Sequence, residues 1–346
     1  MKSIFSLIFF FPLFILQLLC SLPLKAQTVQ TKDTIKVQTL LLYKAKLLQP
    51  LQGQYSQSNT RTASIYGVSG LMWGGTLIGL NELWYKNYPK SKFKWYNDFG
   101  EWRHIDKAGH IMTGYFESRW LYCMGNWAGV SPRKAAWIGA GLGFSYQLSM
   151  ELLDGHSANW GFSMPDIAAN TLGCGVFLSQ QLIWGEQRIR IKFNTVQPMY
   201  PQGNVAIDAR VKSLYGSRFM ERTMKDYNAQ VYWLSANIYS FLPDNSTFPK
   251  WLNVAVGFSA EGMLGGYSNH WQADNVHYKR YQLQRYSEFI LSPDVDLTKI
   301  KTDNYFLKMV LEAASIFKFP APALVLNSNG KVGFYSVYYF NWSKRL

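Results

Sequence analysis

Asp106, His110, Thr113 and Glu117 follow one another at intervals of four, three and four residues, the spacing that lines up side chains on one stripe of an α-helix. A carboxylate one turn from an imidazole fixes the ring's tautomer and raises its basicity, so Asp106 and His110 have the composition of a general base. The competing reading is a polar staple between helices. A second polar series, Gln147, Glu151 and Asp154, ends the next apolar run, and His156, Ser157, Asn159 and Trp160 follow in the connecting loop. The run after that opens Ser163-Met164-Pro165-Asp166, with Asn170 one turn deeper. Ser163 and Asp166 have capping-box spacing with Asp in place of Glu, which accounts for both without any function. Capping does not explain Asn170.

Ionisable groups on otherwise apolar helices are expensive to bury unless they pair or line a polar cavity. Three polar stripes at the start, end and start of successive helices would meet at one end of an up-and-down arrangement. The candidate site is therefore Asp106, Lys107, His110, Glu151, Asp154, Ser157, Asp166 and Asn170. The ligand types would suit a divalent metal, but no HxxxH, HExxH or CxxC spacing supports one, so neither metal nor cofactor is expected. No P-loop, GxSxG or dinucleotide fingerprint occurs. Gly139, Gly141 and Gly143 lack a preceding strand and read as helix packing.

The elements that must position these residues are four apolar runs, at 64–80, 106–127, 133–154 and 165–184, punctuated by Gly129, Pro132, Gly155, Gly161 and Pro165. Their lengths fit a bilayer, and the glycines, with Gly173 and Gly175, have the small-residue spacing of membrane bundles. From Arg188 the pattern changes to alternation: Ile189, Ile191, Phe193; Val254, Val256; Phe289, Leu291, Val295, Leu297 around Pro293; and Val332, Phe334, Val337, Tyr339. These read as strands of roughly ten residues with a helical insertion over 305–317, and 227–242 is ambiguous between strand and helix. If these strands form a barrel wall, Glu261 points inward; in a small soluble sheet it faces water. His270 and His277 fall in a polar loop, exposed to solvent.

The fold class is therefore α+β: an N-terminal membrane-type bundle of about four helices, then a β-rich C-terminal half with a barrel as one outcome. The domains are a signal peptide over 1–26, a polar lead-in over 27–62 with one amphipathic stretch at 35–48, a helical module over 63–186 and the β-rich region over 187–346. Lys2, the uncharged apolar run to Leu22, and Ala26 carry the signal-peptide reading. Acylation at Cys20 would need a small residue where Leu19 stands, and an uncleaved anchor would dispense with Ala26. Cys123 and Cys174 read as small buried hydrophobes, although an oxidising compartment would permit a disulfide between them. The formal charge of +14 is scattered rather than gathered into a basic arm, which with export excludes nucleic acid and points to an anionic membrane surface. Abundant Tyr and Trp fit the same interface, and a basic, aromatic-rich soluble protein is the alternative.

The pattern Asp106-Lys107-x-x-His110, Glu151, Ser157, Asp166-x-x-Ala169-Asn170-x-x-Gly173 resembles the VanZ-like membrane family. More closely, Leu153-Asp154-Gly155, Trp160-Gly161-Phe162-Ser163 and Asp166 resemble the YfiM-type envelope lipoproteins, a family of unknown function, over residues 104–185. Where VanZ-like proteins carry Arg before the serine, this chain has His156, so a phosphate-binding role is not carried over. The resemblance implies a helical envelope module with no established catalysis. Two functions follow as expectations: a non-enzymatic, membrane-associated factor binding lipid or an envelope partner, or an enzyme acting on a lipid or lipid-linked glycan through Asp106, His110, Glu151 and Asp166. The expected location is the cell envelope, on the outer-membrane or periplasmic side rather than the inner membrane.

Overall fold

The computed structural model describes residues 59–83, 89–196, 198, 200–201, 203–280 and 282–338. The leader with Cys20, the stretch at 35–48 and Tyr339 lie outside them. Four helices come first: α1 (Asn59–Leu83), α2 (Ile105–Trp127), α3 (Pro132–Gly155) and α4 (Met164–Ile183). Pro132 opens α3 at a position where no backbone donor is required, and the Ser163 side chain caps α4. Helices α2, α3 and α4 pack pairwise around Tyr115, Phe116, Trp120, Tyr146, Met150 and Phe177. Helix α1 lies alongside, tied to α3 by Trp73 Nε1 donating to Ser149 Oγ (3.2 Å) and Tyr146 OH donating to Thr76 Oγ1 (3.1 Å).

None of the described helices is long and apolar enough to cross a membrane, which corrects the membrane-type reading. The physical reason is that small and polar residues dilute their apolar runs: α3 carries Gly139, Gly141, Gly143, Ser145, Gln147, Ser149 and Glu151, and α4 carries Asp166, Asn170, Thr171, Ser179, Gln180 and Gln181. The close helix contacts expected from the glycines do form, but at only some of them. A Cβ on Gly173 would sit 2.1 Å from the carbonyl oxygen of Ile111, and one on Gly139 would sit 2.5 Å from that of Ser118, whereas Gly141 and Gly175 face open space.

The second half is a six-stranded antiparallel sheet in the order β10-β9-β8-β5-β4-β3, built from β3 (Ile189–Thr195), β4 (Gln230–Asn237), β5 (Leu252–Glu261), β8 (Tyr286–Val295), β9 (Ala323–Asn327) and β10 (Val332–Tyr335). Among the described residues it is open, so the barrel expectation is corrected. Its β3 edge is occupied by another segment, with Phe193 N–H donating to Ile316 O and Lys318 N–H donating to Phe193 O, and its β10 edge is only four residues long. Two short strands outside this sheet, β1 (Trp95–Tyr96) and β2 (Phe162–Ser163), pair in parallel beside the helices. The ambiguous 227–242 stretch contains β4, whose Val231, Trp233, Ser235 and Asn237 are buried in alternation.

Helices α5 (Val205–Tyr215) and α6 (Phe219–Lys225) between β3 and β4 were not expected, and neither was the hairpin of β6 (His270–Ala273) and β7 (Val276–Lys279). The hairpin turns at Asp274 and Asn275, both with positive φ, as a type I′ turn requires, and His270 and His277 are exposed on it as expected. The helical insertion forms as α7 (Tyr305–Ala314), capped by Asn304.

The buried face of the sheet is mixed: Val231, Trp233, Ala255, Ile290 and Val325 form a core on it, and Lys192, Ser235, Asn253, Ser259, Glu261 and Asp294 point to the same side, where Lys192 Nζ meets Asp294 Oδ2 at 2.6 Å and Tyr286 OH donates to Glu261 at 2.8 Å. The alternate residues of each strand are largely apolar and face outward. Helices α2–α4 cover only the β3–β4 side of that outer face, where Ile191, Phe193 and Tyr232 join their core.

The glycine geometry sets up a paired test. Gly173→Ala should lower stability by about 1–3 kcal/mol through overpacking, while Gly175→Ala should be neutral or gain up to about 1 kcal/mol from helix propensity. Urea unfolding of the two variants measures both.

Candidate functional site

Lys107 is the hub of the predicted cluster. Its ammonium lies 2.7 Å from Asp98 Oδ1 and 2.8 Å from Asp106 Oδ2 and also pairs with Asp166 Oδ1. The other Asp106 oxygen accepts from Tyr227 OH at 2.8 Å. His110 Nε2 is 3.5 Å from Asp166 Oδ1 and 3.8 Å from Asp106 Oδ2, and its Nδ1 is 3.0 Å from Asn170 Oδ1. The side chains of Asp98 and Asp166 are fully buried, those of Asp106 and Lys107 nearly so, and that of His110 is 14% exposed. Asp106 and Asp166 stand in the first turns of α2 and α4, so two helix N-termini add partial positive charge to the single ammonium that balances three carboxylates.

Local structure explains how Asp98 reaches the cluster. Trp102, Arg103 and His104 take left-handed backbone conformations, with φ of 48°, 51° and 69°, each of which costs about 1–2 kcal/mol for a residue with a Cβ. The turn is held by long-range contacts. Trp102 N–H donates to Gly266 O at 2.8 Å, its ring stacks on Tyr227 at 4.9 Å, and Arg103 Nε donates to Ser287 Oγ at 3.0 Å. Ser163 completes the arrangement: its Oγ accepts from Asp166 N–H at 3.1 Å and donates to Asp98 Oδ1. Its own N–H donates to Glu151 Oε2 at 3.2 Å. The cap expected at Ser163 is present, but Glu151 takes the return bond that a capping box assigns to its third residue, and Asp166 is left to Lys107.

The helical stripe on α2 divides in two. Asp106 and His110 join the Lys107 cluster, while Thr113 Oγ1 donates to the backbone oxygen of Gly109 (2.8 Å) and Glu117 accepts from Gln147 Nε2 (2.7 Å) deeper between α2 and α3. Burial pushes the Glu117 carboxyl well above its ordinary range, against the opposing effect of the Gln147 hydrogen bond. Ser157 serves its own loop, accepting from Asn159 N–H and donating its N–H to the Asp154 carbonyl oxygen. Asp154 is buried at the end of α3. Cys123 and Cys174 are both free thiols, and burial pushes the Cys174 thiol up to about 11.

Sequence reasoning missed Asp98, Ser163 as a donor to it, and Tyr227. Asp98 sits in an Asn-Asp-x-Gly stretch that reads only as a turn, and Tyr227 lies on the far side of the sequence, so spacing carried no signal for either. Asp106, His110 and Asp166 each present one potential ligand atom, all within 4.8 Å of one another. Lys107 already engages a carboxylate oxygen of both Asp106 and Asp166, so a divalent ion there would face the ammonium. What the geometry provides chemically is a buried ion cluster joining α2, α4, the 98–104 turn and the β-rich half.

Residues 94–180 match the model of a family described as "Predicted periplasmic lipoprotein (DUF2279)". The match covers about a quarter of the chain and contains the whole cluster except Tyr227. Over this stretch the chain is similar to an envelope lipoprotein domain of unknown function, which supports an exported protein of the cell envelope. Comparisons with curated proteins and with solved structures found no match.

Two stability measurements follow. Lys107→Met would leave three buried carboxylates without their cation, and removing one partner of a buried ion pair costs about 3–5 kcal/mol, which denaturant unfolding at neutral pH would register. Glu117 has a folded-state pKa raised by burial, so its contribution to stability is complete below its unfolded pKa and is lost as pH rises through the folded value. Glu117→Gln keeps an acceptor for Gln147 and removes the titration. The variant's stability relative to the wild type should therefore rise as pH increases from about 4.3, as melts across a pH series would show.

Proposed function

We propose that this chain is a non-enzymatic, membrane-associated factor of the cell envelope, related to the YfiM-type envelope lipoproteins and more distantly to VanZ-like proteins, and that it acts by binding lipid or an envelope partner. The observation that carries this reading is the state of Lys107. Its buried ammonium is shared among Asp98, Asp106 and Asp166, so the carboxylates that an acid–base mechanism would employ are already engaged in holding helices together. The candidate base is His110, and its Nδ1 lies 3.0 Å from Asn170 Oδ1 and its Nε2 3.5 Å from Asp166 Oδ1, so both ring nitrogens face side chains of the cluster, where a general base needs one within reach of its substrate. In this reading the protein resides on the outer-membrane or periplasmic side of the envelope.

The second reading is an enzyme acting on a lipid or lipid-linked glycan through Asp106, His110, Glu151 and Asp166. Two observations favour it: His110 is the most exposed member of the cluster, and Asn170 Nδ2 is buried with no hydrogen-bond partner among the described residues.

His110→Gln separates the two, because glutamine retains a donor and an acceptor for Asn170 and Asp166 but takes no proton near neutral pH. The expected outcome is a melting temperature close to the wild type and full complementation of a deletion strain. An unchanged melt with lost complementation would reverse the conclusion in favour of catalysis, once the same substitution test at Asp166 has excluded a lost partner contact.

A further inference from the structure

We infer that the outward face of the six-stranded sheet is a lipid-contact surface that seats the protein on an anionic bilayer. This inference rests on the membrane-associated reading above and names the surface responsible. Val256, Phe289, Leu291, Leu324, Leu326 and Phe334 are 49–67% exposed. The strand pairing places them side by side: Val256 opposite Leu291, Leu291 opposite Leu324, Leu324 opposite Phe334, and Phe289 opposite Leu326. No charged residue interrupts this face along β5, β8, β9 or β10.

An exposed apolar patch by itself does not say what covers it. Here the other face is already covered: Val231, Trp233, Ala255, Ile290 and Val325 form a core on it, beside the buried polar side chains of Lys192, Ser235, Asn253, Glu288 and Asp294. A sheet with water on its outer face carries polar residues there. This sheet is apolar on that face as well, so a second apolar neighbour suits it.

The ends of the strands decide between lipid and other occupants. At one end Arg188 lies over the rings of Trp184 (5.1 Å) and Phe241 (5.6 Å), and Lys250 lies over Tyr239 (4.7 Å). At the other end Arg103 bonds to Ser287 and Ser328, and Arg285 and Lys331 flank β8 and β10. At the first end Glu186 is engaged by Arg188 and Lys299, and at the other Glu261 by Tyr286; Asp244, between β4 and β5, is exposed. Cations on both margins of an apolar band, with aromatic rings beneath those at the first, complement anionic headgroups. A second copy docked through the same face would bring cationic margins together in either orientation, against like-charge repulsion and a net charge of +14.

The test is flotation of the full-length chain with phosphatidylcholine vesicles, with and without phosphatidylglycerol, for the wild type and for Val256→Glu/Leu326→Glu, whose two sites lie on non-adjacent strands. Both positions are half exposed, so the double variant should keep the wild-type melt. Wild-type binding should be stronger to the anionic vesicles and weaken in high salt, and the double variant should lose at least about tenfold in affinity. A well-folded double variant that floats like the wild type overturns the assignment of this surface while leaving membrane association intact through another part. A wild type that binds neither vesicle, and that a carbonate wash of cells leaves wholly in the soluble fraction, overturns the membrane reading itself. A dimer in light scattering that the double variant abolishes, with flotation unchanged, would assign the face to a second copy and overturn the lipid proposal.

Discussion

Burying one ammonium among three carboxylates is the constraint around which the helical module is arranged. Lys107 and its partners come from α2, from the turn before it and from the first turn of α4, and Tyr227 extends the network into the β-rich half. A buried ion pair is a weak source of net stability, since desolvation offsets most of the Coulombic gain, but it is a strong source of geometry, because any arrangement that separates the partners strands a charge. That explains why three successive residues accept left-handed backbone conformations at 102–104. Their strain is opposed by the penalty for leaving Asp98 away from Lys107, and by the stacking of Trp102 on Tyr227.

The same logic runs through the sheet on a larger scale. Lys192 and Lys318 are both buried near Asp294, and burial pushes the Lys318 amine down to about 8. Ser235 and Asn253 complete the network, with Ser235 Oγ donating to Asp294 at 2.6 Å and Asn253 Nδ2 donating to Ser235 at 2.9 Å. Polar groups held inside need partners in fixed places, so these groups specify one register within an interior that also packs Val231, Trp233, Ala255 and Ile290. The two halves are joined where α2 meets this outer face: Tyr232 OH lies 3.0 Å from where a Cβ on Gly109 would be, and Arg119 of α2 pairs with Glu312 of α7. The boundary at 186–187 is thus a change of secondary structure crossed by packed side chains and ion pairs.

Much of this was legible in the chain itself, and for local reasons. Helices α2, α3 and α4 follow from apolar periodicity bounded by Pro132, Ser163 and Pro165; β3, β5 and β8 follow from alternation around β-branched residues; and the convergence of Asp106, Lys107, His110, Asp166 and Asn170 follows from the expense of leaving such groups alone on apolar helices. Each of these is a statement about neighbours within a few turns or a few strand positions. The sequence alone determined, in that sense, the kinds of element, the order in which they come, and which polar residues would have to find partners.

Tertiary structure decided who those partners are. Nothing in the spacing of Asp98 or Tyr227 marks them as ligands of Lys107 and Asp106, because the contacts are closed by a left-handed turn and by a segment 121 residues away. Nor could alternation say which side of β5 or β8 would be buried: a period of two is identical for either face, and only the pairing of six strands, with Lys192 and Asp294 on the inside, set the apolar side outward. The helices' apolar character likewise suits a bilayer or a protein interior, and only the packing of α2, α3 and α4 on one another and on β3 and β4 shows which neighbours their buried faces take. Local patterns record how a residue repeats along its own element, whereas partner and face are settled by distances between elements, and those exist only once the chain has folded.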